Sequence, residues 1–146
     1  NGADALRELD CGWIGVKTLD VSECKSLETL ICSGCESLES LTVNGANALL
    51  RLDISSTSLK ALDVSDLKLI KHLYCGFSKD QLGSLVVNGA DALEELSCWS
   101  ETLKTLDVSG LKSLRRLACN GGLQTSTVNG ADKLEVLDCS RNKLTA

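Results

Sequence analysis

The sequence predicts a solenoid, mainly β, and three observations predict it. The first is a leucine frame that recurs along all 146 residues. One half-unit, Leu-x-x-Leu-x-Cys, falls at Leu6/Leu9/Cys11, Leu27/Leu30/Cys32, Leu49/Leu52/Ile54, Ile70/Leu73/Cys75, Leu93/Leu96/Cys98, Leu114/Leu117/Cys119 and Leu134/Leu137/Cys139. The other, Leu-x-x-Leu-x-Val, falls at Val16/Leu19/Val21, Leu38/Leu41/Val43, Leu59/Leu62/Val64, Leu82/Leu85/Val87, Leu103/Leu106/Val108 and Leu123/Ser126/Val128. The second observation is the spacing: Cys11, Cys32, Ile54, Cys75, Cys98, Cys119 and Cys139 are 21, 22, 21, 23, 21 and 20 residues apart. The third is composition, with 43% hydrophobic residues but 3% aromatics and no proline, as narrow stacked coils require. A fixed period in this range with leucine at fixed offsets is the signature of a leucine-rich repeat solenoid. The expected body is a coil of about seven turns of 20–23 residues, with two parallel sheets and little helix. It should wind right-handed, as parallel crossovers do.

Side-chain direction gives the elements of each coil. Neighbours on a strand point to opposite faces. Leu9 and Cys11 therefore point inward and Asp10 outward; Leu19 and Val21 point inward and Asp20 outward. The Cys half-units form one sheet and the Val half-units the other. With strands about 4.8 Å apart, the rod is on the order of 30 Å long. A double period lies over the single one. Asn-Gly-Ala starts at Asn1, Asn44, Asn88 and Asn129, and Asp-Val-Ser starts at Asp20, Asp63 and Asp107. Coils thus alternate in type, as growth from a two-coil module would leave them. Asn-Gly turns the chain back toward the Cys sheet, because both residues tolerate positive φ. Ala3, Ala46, Ala90 and Ala131 align with Cys24, Leu67 and Leu111, which places all seven in the core. The short Ala-Asp-Ala-Leu stretches have room for one helical turn. No composition break or linker interrupts the pattern, so residues 1–146 read as a single array. The chain opens in mid-pattern and stops just after Leu144, as a section of a longer array would.

The formal net charge of −5 argues against nucleic acid and anionic membrane surfaces, both of which favour a basic face. No apolar run reaches the length of a membrane span, and there is no basic-then-apolar leader. No catalytic constellation is visible: serine and aspartate fall at repeat positions, and the single histidine, His72, has no evident partner. The Asn-Gly pairs are turn residues and not a phosphate loop. An enzyme is therefore not expected, nor a cofactor or resident metal.

Eight cysteines raise the question of disulfides. Six occupy one inward slot, where cysteine packs as a small apolar residue. A disulfide needs Cβ atoms roughly 3.8 Å apart, closer than parallel strands about 4.8 Å apart present them. A reduced, buried ladder is expected. Cys32-Ser33-Gly34-Cys35 spells Cys-x-x-Cys but lies in a solenoid and lacks two further zinc ligands, so it reads as packing.

The outward slots of the Cys sheet are more varied. Before each inward Cys stand Asp10, Ile31, Asp53, Tyr74, Ser97, Ala118 and Asp138. Two residues earlier stand Glu8, Thr29, Arg51, His72, Glu95, Arg116 and Val136, and just after the Cys stand Gly12, Ser33, Ser55, Gly76, Trp99, Asn120 and Ser140. Outward Ile31, Tyr74 and Trp99 do nothing for the core. Aromatics flanked by Arg and His are typical interface anchors, although scattered apolar residues on a surface are also normal. His72, Tyr74, Trp99, Arg116, Arg51 and Ile31 are the candidate binding residues; Trp13 reads as a coil-corner residue. The opposite face is monotonous, repeating Asp20, Asp63, Asp107, Thr42 and Thr127.

The frame resembles the bacterial leucine-rich repeat family, and most of all its cysteine-ladder branch of the internalin J type. The shared pattern is Leu-x-x-Leu-x-Cys-x-x-Asn-x-Leu-x-x-Leu-Asp-Val-Ser, matched best by Leu134, Leu137, Cys139, Asn142 and Leu144. Ile14, Cys35 and Thr57 replace the asparagine elsewhere, Ile54 interrupts the cysteine ladder and Ser126 the leucine row. The resemblance implies a secreted or cell-surface bacterial protein with a role in adhesion or host contact. Two functions follow as expectations. One is a non-catalytic binding module that presents the Cys-sheet face to a protein or glycan partner. The other is a structural spacer that displays another domain. Open sheet edges at both ends also allow end-to-end self-association.

Overall fold

The structure, a computed structural model, describes residues 3–76 and 82–144. The first Asn-Gly pair lies outside them. The Cys half-units form β1 (Glu8–Asp10), β3 (Thr29–Ile31), β5 (Arg51–Asp53), β7 (His72–Cys75), β9 (Glu95–Ser100), β11 (Arg116–Gly121) and β13 (Val136–Asp138). The Val half-units form β2 (Thr18–Asp20), β4 (Ser40–Thr42), β6 (Ala61–Asp63), β8 (Ser84–Val86), β10 (Thr105–Asp107) and β12 (Thr125–Thr127). Together they make a parallel β-solenoid of about six turns, without helix among the described residues. The expected seventh turn is not closed: seven Cys strands alternate with six Val strands, so the last coil is a half-unit.

The Cys strands form one continuous seven-stranded parallel sheet. Its register follows the repeat, with Leu9 beside Leu30, Leu30 beside Leu52, Leu52 beside Leu73, Leu73 beside Leu96 and Leu96 beside Leu117. The second side departs from expectation. It is not one sheet but three separate pairs, β2–β4, β6–β8 and β10–β12. Each pair joins an Asp-Val-Ser coil to the Asn-Gly-Ala coil that follows it, so the breaks fall on the boundary of the double unit. Turn docking explains this. A Cβ on Gly45 would stand 2.6 Å from the Ser22 carbonyl oxygen, and one on Gly89 2.9 Å from that of Ser65. The glycine of each of these Asn-Gly turns thus lies directly on the preceding serine turn. Lys25 and Lys68 donate to the same two carbonyls at 2.7 Å. Across the break from β4 to β6, the Ser58 amide bonds Leu38 and its hydroxyl bonds Glu36 instead.

The core is a stack of leucine rows closed by Ala46, Leu67, Ala90, Leu111 and Ala131. Ala3, at the outer coil, is exposed, and Cys24 is only half-buried, against expectation, with just the small Ala3 slot on its outer side. The Ala-Leu stretches form single turns, closed by bonds such as Leu49 N–H to Ala46 (3.1 Å) and Leu93 N–H to Ala90 (3.0 Å). All eight cysteines are free thiols. Cys32, Cys75, Cys98 and Cys119 are buried, and Cys11 and Cys139 are half-buried at the two ends. Burial pushes the Cys32 thiol well above the ordinary range. Hydrogen bonds with the Cys98 thiol, then burial, do the same for Cys75 and Cys119. Cys11 and Cys32 are in thiol–thiol contact at 3.4 Å. Cys35, the other half of the Cys-x-x-Cys motif, donates to the Cys11 carbonyl at 2.9 Å.

Candidate functional site

The continuous sheet sets its outward side chains at the pitch of a parallel ladder. Arg51, His72, Glu95 and Arg116 are consecutive register partners on β5, β7, β9 and β11. Asp53, Tyr74, Ser97 and Ala118 form the next row. Four of the six expected residues are drawn together here around one carboxylate. The Tyr74 hydroxyl donates to Glu95 Oε2 at 2.8 Å. Arg116 Nε lies 3.5 Å from Glu95 Oε1, and His72 Nδ1 lies 3.6 Å from Oε2. The Arg51 guanidinium carbon sits 4.8 Å from the centre of the Tyr74 ring, within cation–π range. One network therefore crosses four coils.

Its electrostatics follow from that geometry. Burial first, and then the hydrogen bond to Glu95, raise the Tyr74 phenol above its ordinary value. The 3.6 Å separation of His72 from Glu95 is an ion-pair distance once the imidazole is charged, but too long for a hydrogen bond. His72 Nδ1 and Arg51 Nε are accordingly buried without hydrogen-bond partners. The sequence reading that His72 lacks a partner is corrected by Glu95. So is the picture of free aromatic anchors: Tyr74 and Trp99 are half-buried. Trp99 lies on β9, two residues past the Tyr74 row, about 8 Å from Tyr74 by strand geometry. The Arg141 guanidinium stands 5.7 Å from its ring. Ile31 is not part of the cluster, since Asp53 separates it from Tyr74 in the register.

Glu95 and Arg141 were not singled out by sequence. Glu95 had a readable signal, a carboxylate in the same outward row between His72 and Arg116. Arg141 had none, because its place depends on how the last corner turns. Trp13 is the largest exposed apolar side chain, 81% accessible at φ 62°, and its indole lies over Gly34 at the coil corner.

The other face uses its aspartates for turns. Asp20, Asp63 and Asp107 accept from the backbone N–H two residues on, at 2.9, 2.9 and 2.8 Å. Bonds from Ser22 and Ser109 hold the Asp20 and Asp107 carboxyls below their usual range. Asp10, Asp53 and Asp138 make the same bond on the Cys side. The repeated aspartates are thus turn formers. Among the described residues no group of three or more His, Cys, Asp or Glu side chains is placed to hold a metal ion. No helix among them is long and apolar enough to cross a membrane. Comparison with protein-family models, curated protein sequences and solved structures gives no match.

Proposed function

We propose that this chain is a non-catalytic binding module of a bacterial surface or secreted protein, presenting the outward face of the seven-stranded sheet to a protein or glycan partner. The reading takes the coil as the leucine-rich repeat, cysteine-ladder type, wound right-handed. The observation that carries it is the Arg51–Tyr74–Glu95–Arg116 network. None of these side chains is needed by the hydrophobic core, yet they are ordered across four coils on the one sheet that runs the length of the rod. A half-buried tyrosine and arginine held by neighbours, with the exposed Arg116 beside them, are what interface anchors look like before a partner arrives. The opposite face offers broken strand pairs and repeated aspartates already used in turns.

The test is direct binding of the whole chain to an immobilised panel of defined oligosaccharides and purified extracellular proteins. Tyr74→Ala and Arg116→Ala should each weaken any specific hit by about tenfold or more. Asp63→Ala and Asp107→Ala on the opposite face should not. Binding that survives the first pair and is lost with the second would move the working surface to the Val side. A panel without hits favours the spacer reading.

A further inference from the structure

A second polar feature lies at the corner where β11 leaves the sheet. Gly121 and Gly122 floor a shallow cavity of about 330 Å³, lined also by Glu101, Lys104, Arg141 and Lys143. Three cations thus face one carboxylate in a chain whose formal net charge is −5. Among the described residues none of the three is in an ion pair, whereas Arg7, Lys71 and Arg115 each pair with a glutamate one coil on. Lys104 donates to the Glu101 carbonyl, which fixes its direction. Arg141 also acts weakly on Asp138, whose carboxyl is governed first by the Ser140 backbone bond.

The corner is held stiffly. Asn142 points inward, its Nδ2 donating to the Cys119 and Cys139 carbonyls at 2.6 and 2.9 Å and its Oδ1 accepting from the Leu123 amide at 3.1 Å. The flanking Arg141 and Lys143 are therefore displayed from a fixed backbone. Arg141 has φ 59°, the left-handed corner conformation that Trp13 and Ser56 also adopt two residues past their inward slots, so the repeat itself sets its backbone. The floor admits no side chain: a Cβ on Gly122 would stand 2.1 Å from the Glu101 carbonyl oxygen. A Cβ on Gly121 would stand 3.1 Å from Trp99 Cδ1, so the glycine floor abuts the indole.

We propose that this corner binds a carboxylate-bearing sugar, such as a uronic acid unit of an acidic polysaccharide. The cavity has the volume of a small-ligand site. Arg141 offers a planar fork for the carboxylate, and Lys104 and Lys143 add point charges. Glu101 accepts from ring hydroxyls. The site uses residues other than Tyr74 and Arg116 and stands whether or not the sheet face has a partner.

The test is calorimetric titration of the whole chain with tetragalacturonic acid, neutral galactotetraose and inorganic phosphate. The acidic sugar should bind, more weakly as salt is raised, and the neutral sugar at least about tenfold less tightly. Arg141→Gly, which suits the backbone there, and Lys143→Gln should each cost about tenfold in affinity; Asp63→Ala on the opposite face should cost nothing. No binding of the acidic sugar, equal binding of the neutral one, phosphate binding as tight as the sugar, or affinity unchanged in both corner variants would each overturn the proposal. Affinity lost in Tyr74→Phe but kept in Arg141→Gly would overturn it too, while favouring the sheet face.

Discussion

Replacing Tyr74 by Phe isolates the bond that ties two coils together on the proposed working face. The ring and its contact with Arg51 stay; only the hydroxyl that donates to Glu95 at 2.8 Å is lost. A hydrogen bond to a charged acceptor contributes about 1.5–3 kcal/mol when well buried. Here the Glu95 side chain is 29% exposed and keeps Arg116 beside it, so water and that cation compensate part of the loss. The expected destabilisation is therefore about 1 kcal/mol. Urea unfolding followed by tryptophan fluorescence measures it. A cycle with Glu95→Gln should give a coupling energy of about 1 kcal/mol. Coupling near zero would mean that the bond contributes nothing. A loss above about 3 kcal/mol would make Tyr74 a core residue and the face assignment wrong.

The same residue offers a second readout, because it is the only tyrosine in the chain. Absorbance near 295 nm should follow its ionisation alone. Burial and Glu95 raise the folded phenol above its unfolded value. The neutral form is thus favoured in the fold. Its contribution is fully present below the unfolded value of about 10 and is lost as pH rises through the higher folded value. In that alkaline window Tyr74→Phe should lose less stability than the parent chain. A phenol that titrates at or below the ordinary value would contradict the buried bond.

Three further outcomes are expected. Thiol titration in denaturant should find all eight cysteines free, and four or fewer would mean bridges; Cys75→Ser should cost roughly 1–3 kcal/mol through a buried hydroxyl short of partners. Gly45→Ala should destabilise more than Gly34→Ala, as urea midpoints would report. Both sit at positive φ, but the new Cβ meets the fixed Ser22 carbonyl oxygen in one case and the exposed, movable Trp13 ring in the other. The edges at β1 and β13 should exchange their amides first, and light scattering should show concentration-dependent self-association through apolar end residues such as Leu137, 52% exposed; a monomer with protected edge amides would refute this.

The leucine frame made the core legible, since a side chain that recurs every coil must stack on its own copies: Leu30, Leu52, Leu73, Leu96 and Leu117 do so, each fully buried. The same logic fails where a neighbour is missing. Ala3 and Cys24 occupy core slots by alignment yet stay accessible, Ala3 at the outer coil and Cys24 with only that small slot outside it. The division of the Val side into pairs was written in the alternation of Asn-Gly-Ala with Asp-Val-Ser. Reading it needed the close approach of Gly45 to Ser22, which only backbone geometry supplies. Partners on the outward face were half legible. Register predicts that Glu95 neighbours His72 and Arg116, but that Tyr74 reaches diagonally to the same carboxylate depends on rotamers that no pattern encodes.

The polarity of the network constrains what could seat on it. Glu95 is half-buried and already served by a hydroxyl and two basic side chains. A partner that brought a further cation would have to displace one of these, and would gain little for the exchange. An anionic partner would meet Arg51 and Arg116 from outside, but also Asp53 in the adjacent row. Arg51 Nε and His72 Nδ1 have no hydrogen-bond partner, but both atoms are covered, so a partner reaches them only if these side chains move. What stays open is the outer edge of the Arg51 and Arg116 guanidinium groups beside the Tyr74 ring, which can donate to hydroxyl and carbonyl oxygens of a surface flat enough to cover the phenol. A neutral glycan face or a peptide backbone has that chemistry, and a densely charged polymer does not. The proposed sheet face and the cationic corner past Trp99 are thus set up for different groups. If both are occupied in one ligand, it would be a polysaccharide whose neutral and acidic units are spaced by the distance from Tyr74 to Arg141.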